Sequence, residues 1–366
     1  MDYFCQAPLG LLCRLSPTVI AAVLVVGLDG LYLLMALHRF TTAGSWYPVM
    51  APVFCQAPLA FFGAVLWKYF DTHKERQNIR KAFGYYLPEK VVEQLSRNVA
   101  GVKTNSQLVY GICLYTDADQ YTTLAETMHP KDLGSLMNQY YEAVFEPVRQ
   151  HGGIVSDVVG DAMLAIWATA QPDAALRKQA CLAALEIASA VQRFVQSASS
   201  WQIPTRIGLH SGAMLLGNVG ALDHYEYRAV GDIVNTSSRI EGLNKQLGTR
   251  ILVSEEVLYQ LAGLLTRELG TFLFVGKTQP LVIHELLGRL EETTEQQRSL
   301  CALFAEALEA YRRQAWEEAT EKFYQILNHD RAKADGPALF YVELCEQYRE
   351  HPPVEAWNGV VRLVKK

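Results

Sequence analysis

Paired cysteines, a basic excess and a secretory start are all missing from this sequence. Its seven Cys are scattered without any C-x-x-C spacing. That excludes a zinc ribbon or a disulfide framework and leaves reduced thiols, buried in protein or membrane. Lys and Arg number 33 against 38 Asp and Glu, a net charge of -5, so the chain offers no basic footprint for nucleic acid. The basic end Arg362, Lys365 and Lys366 is too short to make a membrane or nucleic-acid site. The N-terminus lacks the basic start of a signal peptide. With 366 residues the chain still has room for two or three domains and a sizeable core.

The first thing present is apolar length. Residues 17–37 are apolar except for Asp29, and residues 46–67 carry no charge. Each run is long enough to cross a bilayer as a helix, and two in succession argue against a buried core helix. Trp46, Tyr47, Trp67 and Tyr69 lie at the ends, where aromatic anchors belong. Lys68, Lys74, Arg76, Arg80 and Lys81 follow the second run and place that end in the cytoplasm. Asp29, beside Gly27 and Gly30, reads as a helix-interface residue rather than a ligand site. A shorter apolar run at 3–13 contains Phe-Cys-Gln-Ala-Pro-Leu, which recurs at 54–59, and is a candidate third membrane segment. From Thr72 to Asn98 the chain is charged and helical, with Phe83, Tyr86, Leu87, Val91, Val92 and Leu95 as a pairing surface; a solvated linker helix is the plainer reading.

Beyond residue 100 the pattern turns to strands and amphipathic helices. Gly152 to Asp161 reads as strand, two-residue turn and strand, with Ile154, Val155, Val158 and Val159 before the turn and Met163 to Trp167 after it. Gly160-Asp161 sits where a tight turn needs Gly and tolerates Asp. A carboxylate at a hairpin tip projects outward and can hold a metal. A second apolar strand, Val109 to Tyr115, ends in Thr116-Asp117-Ala118-Asp119. Two such strand-end carboxylates, brought together, form an oxygen cage of the kind Mg²⁺ prefers. Lys131 to His151 and Ala174 to Val195 carry apolar stripes at helical spacing, which are core. Strands are expected at Thr205 to His210 and near Met214 to Leu216, with Gly217-Asn218-Val219-Gly220 as a turn before a strand at Tyr225 to Val230. This alternation implies helices packed on a central sheet. Asn235 and Arg239 are spaced i, i+4 and share one helix face, while Ile240, Leu243 and Leu247 supply the buried side.

Three stretches together carry a resemblance. Thr116-Asp117-Ala118-Asp119-Gln120-Tyr121-Thr122, then Gly152-Gly153 to Gly160-Asp161, then Val230-Gly231-Asp232-Ile233-Val234-Asn235-Thr236-Ser237-Ser238-Arg239 resemble, in order and spacing, the three motifs of class III nucleotidyl cyclases. The resemblance covers roughly residues 75–288, and three motifs in register are more specific than any one. It implies an α+β fold with a ferredoxin-like catalytic domain at 101–288. Before it would come a membrane region at 1–71 and a signal-coupling helix at 72–100; after it, a short α-helical repeat region at 289–366. It also implies that the ribose 3′-OH of ATP, or of GTP, attacks the α-phosphorus to give a 3′,5′-cyclic nucleotide and pyrophosphate, for intracellular signalling. Asp117 and Asp161 would hold two Mg²⁺ or Mn²⁺ ions. Asn235 and Arg239 would orient the ribose and stabilise charge on the phosphate, a role suited to the permanently charged, planar guanidinium. Backbone amides of Ala118, Asp119, Gln120 and Tyr121 would touch the phosphates; the Asp119 side chain reads as an outer helper or a helix cap. One protomer supplies the carboxylates and the other the Asn and Arg in this family, so a twofold homodimer is implied. So are contact with membrane lipid and a multi-pass place in the inner membrane with the catalytic domain cytoplasmic. Related cyclases often carry an extracellular CHASE-type sensor before their membrane helices; the chain resembles the membrane-proximal part of that layout. The Gly-Gly-Asp/Glu-Glu-Phe signature of diguanylate cyclases is missing.

The sequence departs from the family pattern at three places. Asp157 stands where adenylate-making members have Lys, Arg228 where they have Asp or Thr, and Val275-Gly276-Lys277 replaces a Lys-Gly-Lys run, leaving Lys277 to reach the triphosphate. Asp157 and Arg228 either pair with each other or read the base, accepting and donating at adenine or at guanine. These departures also motivate a second reading: a catalytically silent cyclase-fold module that binds nucleotide or a partner cyclase. After Gly288, Ala307, Leu308, Tyr311, Trp316, Ala319, Phe323, Ile326 and Leu327 resemble one tetratricopeptide helix pair. One repeat buries its own face poorly, so it is expected to pack on the cyclase domain or a protein partner.

Overall fold

The computed structural model describes residues 18–84, 106–197, 203–221, 224–329, 335–353 and 357–363. The chain divides into two compact units, Met1–Val99 and Ala100–Lys366. In the first, helix α1 spans Thr18–Ala43 and helix α2 spans Ala57–Gly84, entered through a π-helical turn at Pro52–Gln56. Residues 44–49 are irregular, so Trp46 and Tyr47 lie in the connection and the second apolar run becomes helical only from residue 50. Pro48 accounts for this, because the residue before a proline is pushed out of the helical region. Leu31, Leu34 and Leu37 on α1 and Leu59, Phe62 and Trp67 on α2 are exposed. Among the described residues one helix, Val53–Glu75, is long and apolar enough to cross a membrane. The run at 3–13 and the coupling segment beyond Gly84 lie outside the described residues.

The second unit is a nine-stranded mixed sheet with helices on both faces. It opens with strand β1 (Gln107–Ala118), helices α3 (Tyr121–Thr127) and α4 (Pro130–Gln150), and strands β2 (Ile154–Val159) and β3 (Ala162–Thr169). Helix α5 (Ala174–Ser197) and strand β4 (Thr205–Ala221) complete a βαββαβ run. Its strands lie in the order β2-β3-β1-β4, the ferredoxin-like arrangement. Strand β5 (His224–Val230), helix α6 (Asp232–Leu247), strand β6 (Ile251–Ser254), helix α7 (Glu255–Leu258) and strands β7 (Leu264–Leu273) and β8 (Leu281–Arg289) follow. Helices α8 (Glu295–Arg312), α9 (Trp316–His329) and α10 (Gly336–Glu350) and strand β9 (Val360–Arg362) close the chain. Beyond β4 the sheet runs β6-β8-β7-β9, with β5 paired to β4 off this path.

The apolar stripes decide which face each helix covers. Tyr140, Val144 and Val148 of α4 and Ala180, Ala184 and Ile187 of α5 pack with Leu114, Trp167 and Leu209 on one sheet face. Trp167 is fully buried there and its indole N–H donates to the His151 carbonyl at 2.8 Å, as a buried indole requires. The other face receives α6. A Cβ on Gly208 would stand 2.2 Å from the Glu241 backbone nitrogen, so α6 seats on β4 at a distance only glycine allows.

One expected turn is not a turn. Gly217 to Gly220 belong to β4, paired with Tyr225 to Arg228 of β5. Glycine and asparagine favour turns locally, but a ladder of cross-strand hydrogen bonds overrides that preference. Residues 222–223, between the two strands, lie outside the described residues.

The helices after residue 289 share a core with the sheet. Phe304, Tyr311, Phe323 and Tyr341 pack with Ile240, Leu243 and Leu247 of α6 and with Leu269 and Phe272 of β7. Each such fully buried side chain is worth about 1.5–3 kcal/mol. Tyr341 Oη donates to the Leu269 carbonyl at 2.6 Å. Arg267, beneath them, bonds Glu285 at 2.5 Å and Asp335 at 2.6 Å, with its guanidinium 4.8 Å over the Phe304 ring. Strand β9 then pairs in parallel with β7. One helix pair was expected; a third helix and an edge strand complete the layer.

Candidate active site

The carboxylate pair is assembled by register and by a turn. β1 extends three residues beyond its expected end and carries Asp117 into the sheet. Gly160, at φ +63°, turns β2 into β3 and leaves Asp161 at the tip. The Tyr141 hydroxyl donates to the Gly160 carbonyl and holds that tip. Asp161 Oδ2 accepts from the Ala118 amide at 3.2 Å. Burial, then the neighbouring Asp117 charge, pushes the Asp161 carboxyl above the usual carboxylate range.

The counter-ion is Arg206, which lies opposite Asp117 across the β1–β4 ladder. It reaches Asp117 at 2.7 Å, Asp119 at 3.0 Å and Glu241 of α6 at 2.9 Å. Burial works against the Arg206 charge, but hydrogen bonds to Glu241, Asp119 and Asp117 outweigh it and hold the guanidinium charged. Glu241 is pushed up to about 7 by burial, with Asp117 adding to the rise and Arg206 opposing it. Three acids thus share one cation, and Asp161 stands beside Asp117. That surplus of hard oxygen donors, with two carboxylates held against each other, fits a divalent cation that takes its other ligands from phosphate and water. Among the described residues no group of three or more His, Cys, Asp or Glu is arranged to hold a metal; the fit rests on the pair.

The expected phosphate amides divide. Ala118 N–H is given to Asp161 and Asp119 N–H to the Pro204 carbonyl at 2.7 Å, so neither is free in this arrangement, because both lie where β1 is still being held by its neighbours. Asp119 is an Arg206 partner rather than a helix cap, since Gln120, at φ +66°, takes the cap position of α3. Gln120 and Tyr121 open that helix, where first-turn amides have no intrahelical acceptor.

Asn235 and Arg239 stand on α6 as expected. Asn235 is exposed, and Arg239 donates to the Val275 carbonyl in the loop between β7 and β8. Lys277, in the same loop, bonds Asp232, whose carboxyl its contact holds below the usual range. Asp157 of β2 and Arg228 of β5 pair with each other, and Glu226 joins Arg228 at 3.1 Å. Among the described residues no hydrogen bond or ion pair links Asp117 or Asp161 to Asn235, Arg239, Asp157, Arg228 or Lys277. Arg206 and Glu241 escaped the sequence reading. The signal for Arg206 was the alternation of Arg206, Gly208 and His210 on the sheet face opposite Ile207 and Leu209; Glu241, on α6, has no part in it.

Residues 107–284 match the model of the adenylate and guanylate cyclase catalytic domain. Over this range the chain is similar to the class III cyclase catalytic domain. Adenylate cyclase 1 of Rhizobium meliloti (strain 1021) is 32% identical over 221 residues, 58% of this chain and 33% of that protein. An adenylate cyclase of Anabaena cylindrica is 31% identical over 156 residues, 41% of this chain and 30% of that protein. The chain spans about a third of the length of these relatives. A bacterial light-regulated adenylyl cyclase of solved structure has the same fold, with a TM-score of 0.53 at 20% identity over 65% of this chain and 69% of that one. The matched range runs from β1 into β8, with Asp117, Asp161, Asn235 and Arg239 all inside it.

Proposed function

We propose that this chain is an adenylate cyclase, converting ATP to 3′,5′-cyclic AMP and pyrophosphate at sites shared by a homodimer. The observation that carries the reading is the division of the cyclase domain's chemistry. The carboxylates Asp117 and Asp161 sit at one place, while Asn235 and Arg239 stand elsewhere on α6 with no bond to them. A second copy turned by a twofold axis would bring the missing half to each site. Relatives named adenylate cyclase favour ATP. Two Mg²⁺ or Mn²⁺ ions, held by Asp117 and Asp161, would lower the pKa of the attacking hydroxyl and neutralise phosphate charge. The partner's α6 would then set the ribose with Asn235 and spread charge from the phosphate with Arg239, released from the Val275 carbonyl. Gln120 and Tyr121 amides would meet the phosphates, and Lys277 would leave Asp232 for the triphosphate.

The base is read by Asp157 and Arg228. Their mutual ion pair leaves the pocket partly self-satisfied, so ATP is the main substrate with measurable GTP use. Exchanging the charges, Asp157→Lys with Arg228→Asp, is expected to raise the ATP to GTP ratio; an unchanged ratio would remove these two residues from base selection. The exposed apolar faces of α1 and α2 support a multi-pass place in the inner membrane, with the catalytic domain cytoplasmic and orientation set through the coupling segment.

Complementation tests the shared site. Asp117→Ala and Arg239→Ala, each as the full chain in lipid, are expected to make no cyclic AMP alone and to recover activity when co-assembled. Failure to recover, with heterodimers shown to form, overturns it. The closed pairs Asp157–Arg228 and Lys277–Asp232 favour a second reading, the silent regulatory module. That reading stands if the wild-type chain makes no cyclic product from any nucleoside triphosphate with Mg²⁺ or Mn²⁺.

A further inference from the structure

Strand β4 has a gap in its pairing. It meets β6 through Leu209 and β5 from Leu215, so residues 210–214 pair only with β1. A pocket of about 720 Å³ opens there, lined in part by Ile112, Arg177, Ser211 and His284. Ile112 is five residues from Asp117, about 16 Å along the strand, so the pocket is separate from the carboxylate pair.

Arg177 lies in the first turn of α5 and is only 6% exposed. One guanidinium nitrogen, Nη2, donates to the Tyr259 carbonyl at 2.8 Å, while the buried Nε has no acceptor. Among the described residues no carboxylate forms an ion pair with it. Cys181, one turn along, supplies no counter-charge, since burial pushes its thiol up to about 12. A buried cation without a partner is costly, and the α5 N-terminus adds positive potential around it. The helix amides themselves are not the missing partner's site, because Asp173 already accepts from the Ala175 amide at 2.7 Å. A second buried polar atom on the pocket wall, His284 Nε2, is also unpartnered, and burial lowers the imidazole pKa so that the ring is neutral. Leu258 and Leu261 give the wall an apolar stretch, while Glu255 and Glu256 are exposed beside it and repel multiply charged anions.

We propose that this pocket binds a small organic monocarboxylate, with its carboxylate on Arg177 and its apolar body against Ile112, Leu258 and Leu261. The ligand supplies the counter-charge that the chain does not, and a single negative charge is the most the acidic rim admits.

Titration calorimetry of the full chain tests this with butyrate and benzoate as probes, their neutral amides as controls and inorganic phosphate as the competing anion. Saturable binding of a carboxylate is expected, at least tenfold tighter than its amide and tighter than phosphate. Arg177→Met is expected to weaken it at least tenfold. Thr266→Phe, which narrows the same pocket and keeps Arg177, is expected to do the same and carries the test if the first variant does not fold. No saturable binding of either carboxylate, equal binding of acid and amide, tighter binding of phosphate, or affinity unchanged in the folded variants would overturn the proposal.

Discussion

Arg206 and Arg267 each gather carboxylates from separate parts of the second unit, yet the two clusters do different work. Arg267 binds Glu285 and Asp335, its side chain is 7% exposed, and an aromatic ring covers it. Two acids against one buried arginine, bonded through all three of its nitrogens, make a clamp between the sheet and the C-terminal helices. Arg206 meets Asp117, Asp119 and Glu241 with Asp161 beside them, at an open strand end where Asp117 is 32% exposed. Four acids against one arginine at a solvent edge leave an anionic site that another cation can enter. The same side chain is structural where charge nearly closes and the core excludes water, and chemical where it does not.

The largest test of that contrast is Asp161→Asn. Removing one charge from the crowded pair relieves repulsion, and the Asn oxygen still accepts from Ala118. Cyclic AMP formation is expected to fall by at least about a hundredfold, since metal-assisted charge stabilisation is worth several kcal/mol. The melting temperature is expected to hold or rise. A large fall in stability instead would make this cluster a second clamp.

Arg267→Met comes next. It leaves Glu285 and Asp335 without their cation, and breaking a buried pair in this way costs about 3–5 kcal/mol. Denaturant unfolding is expected to show that loss, with activity per folded molecule nearly unchanged. Full stability in the variant would place the two arginines in one class after all.

The smallest effect is a slope. In metal-free protein the Glu241 carboxyl titrates near 7 when folded and near 4.5 when unfolded. The folded state therefore holds the proton more tightly, and the stability this contributes is complete below pH 4.5 and is lost as pH rises to about 7. Stability measured in EDTA is expected to decline across that window, and Glu241→Gln to flatten the decline. Adding Mg²⁺, which offsets the Asp117 and Asp161 charges, is expected to flatten it too. A profile that Glu241→Gln leaves unaltered would detach Glu241 from the cluster.

What could be read from the chain alone follows from how local each feature is. Asp161 was legible because a Gly-Asp turn between two apolar runs, the first rich in β-branched residues, announces a hairpin tip within ten residues. Asp117 was legible because a strand visibly ends beside it. Arg206 was not, since its partners come from β1 and α6 and only the ladder register brings them together. Gly217 to Gly220 misled because their composition argues for a turn while their pairing with β5 decides otherwise. The repeat-like helices revealed that they needed a surface to cover, but not that three residues, Val360–Arg362, would join the sheet: so short a segment is a strand only because β7 lies beside it.

The contact at Gly208 has a mechanical consequence. At Gly208 the backbone of α6 rests on the backbone of β4, with no side chain between them at that point. Glu241 and Asn235 lie six residues apart on that helix, about 9 Å along its axis, so they travel together as marks on a rigid rule. A larger residue at 208 would push α6 off β4 and put play between them.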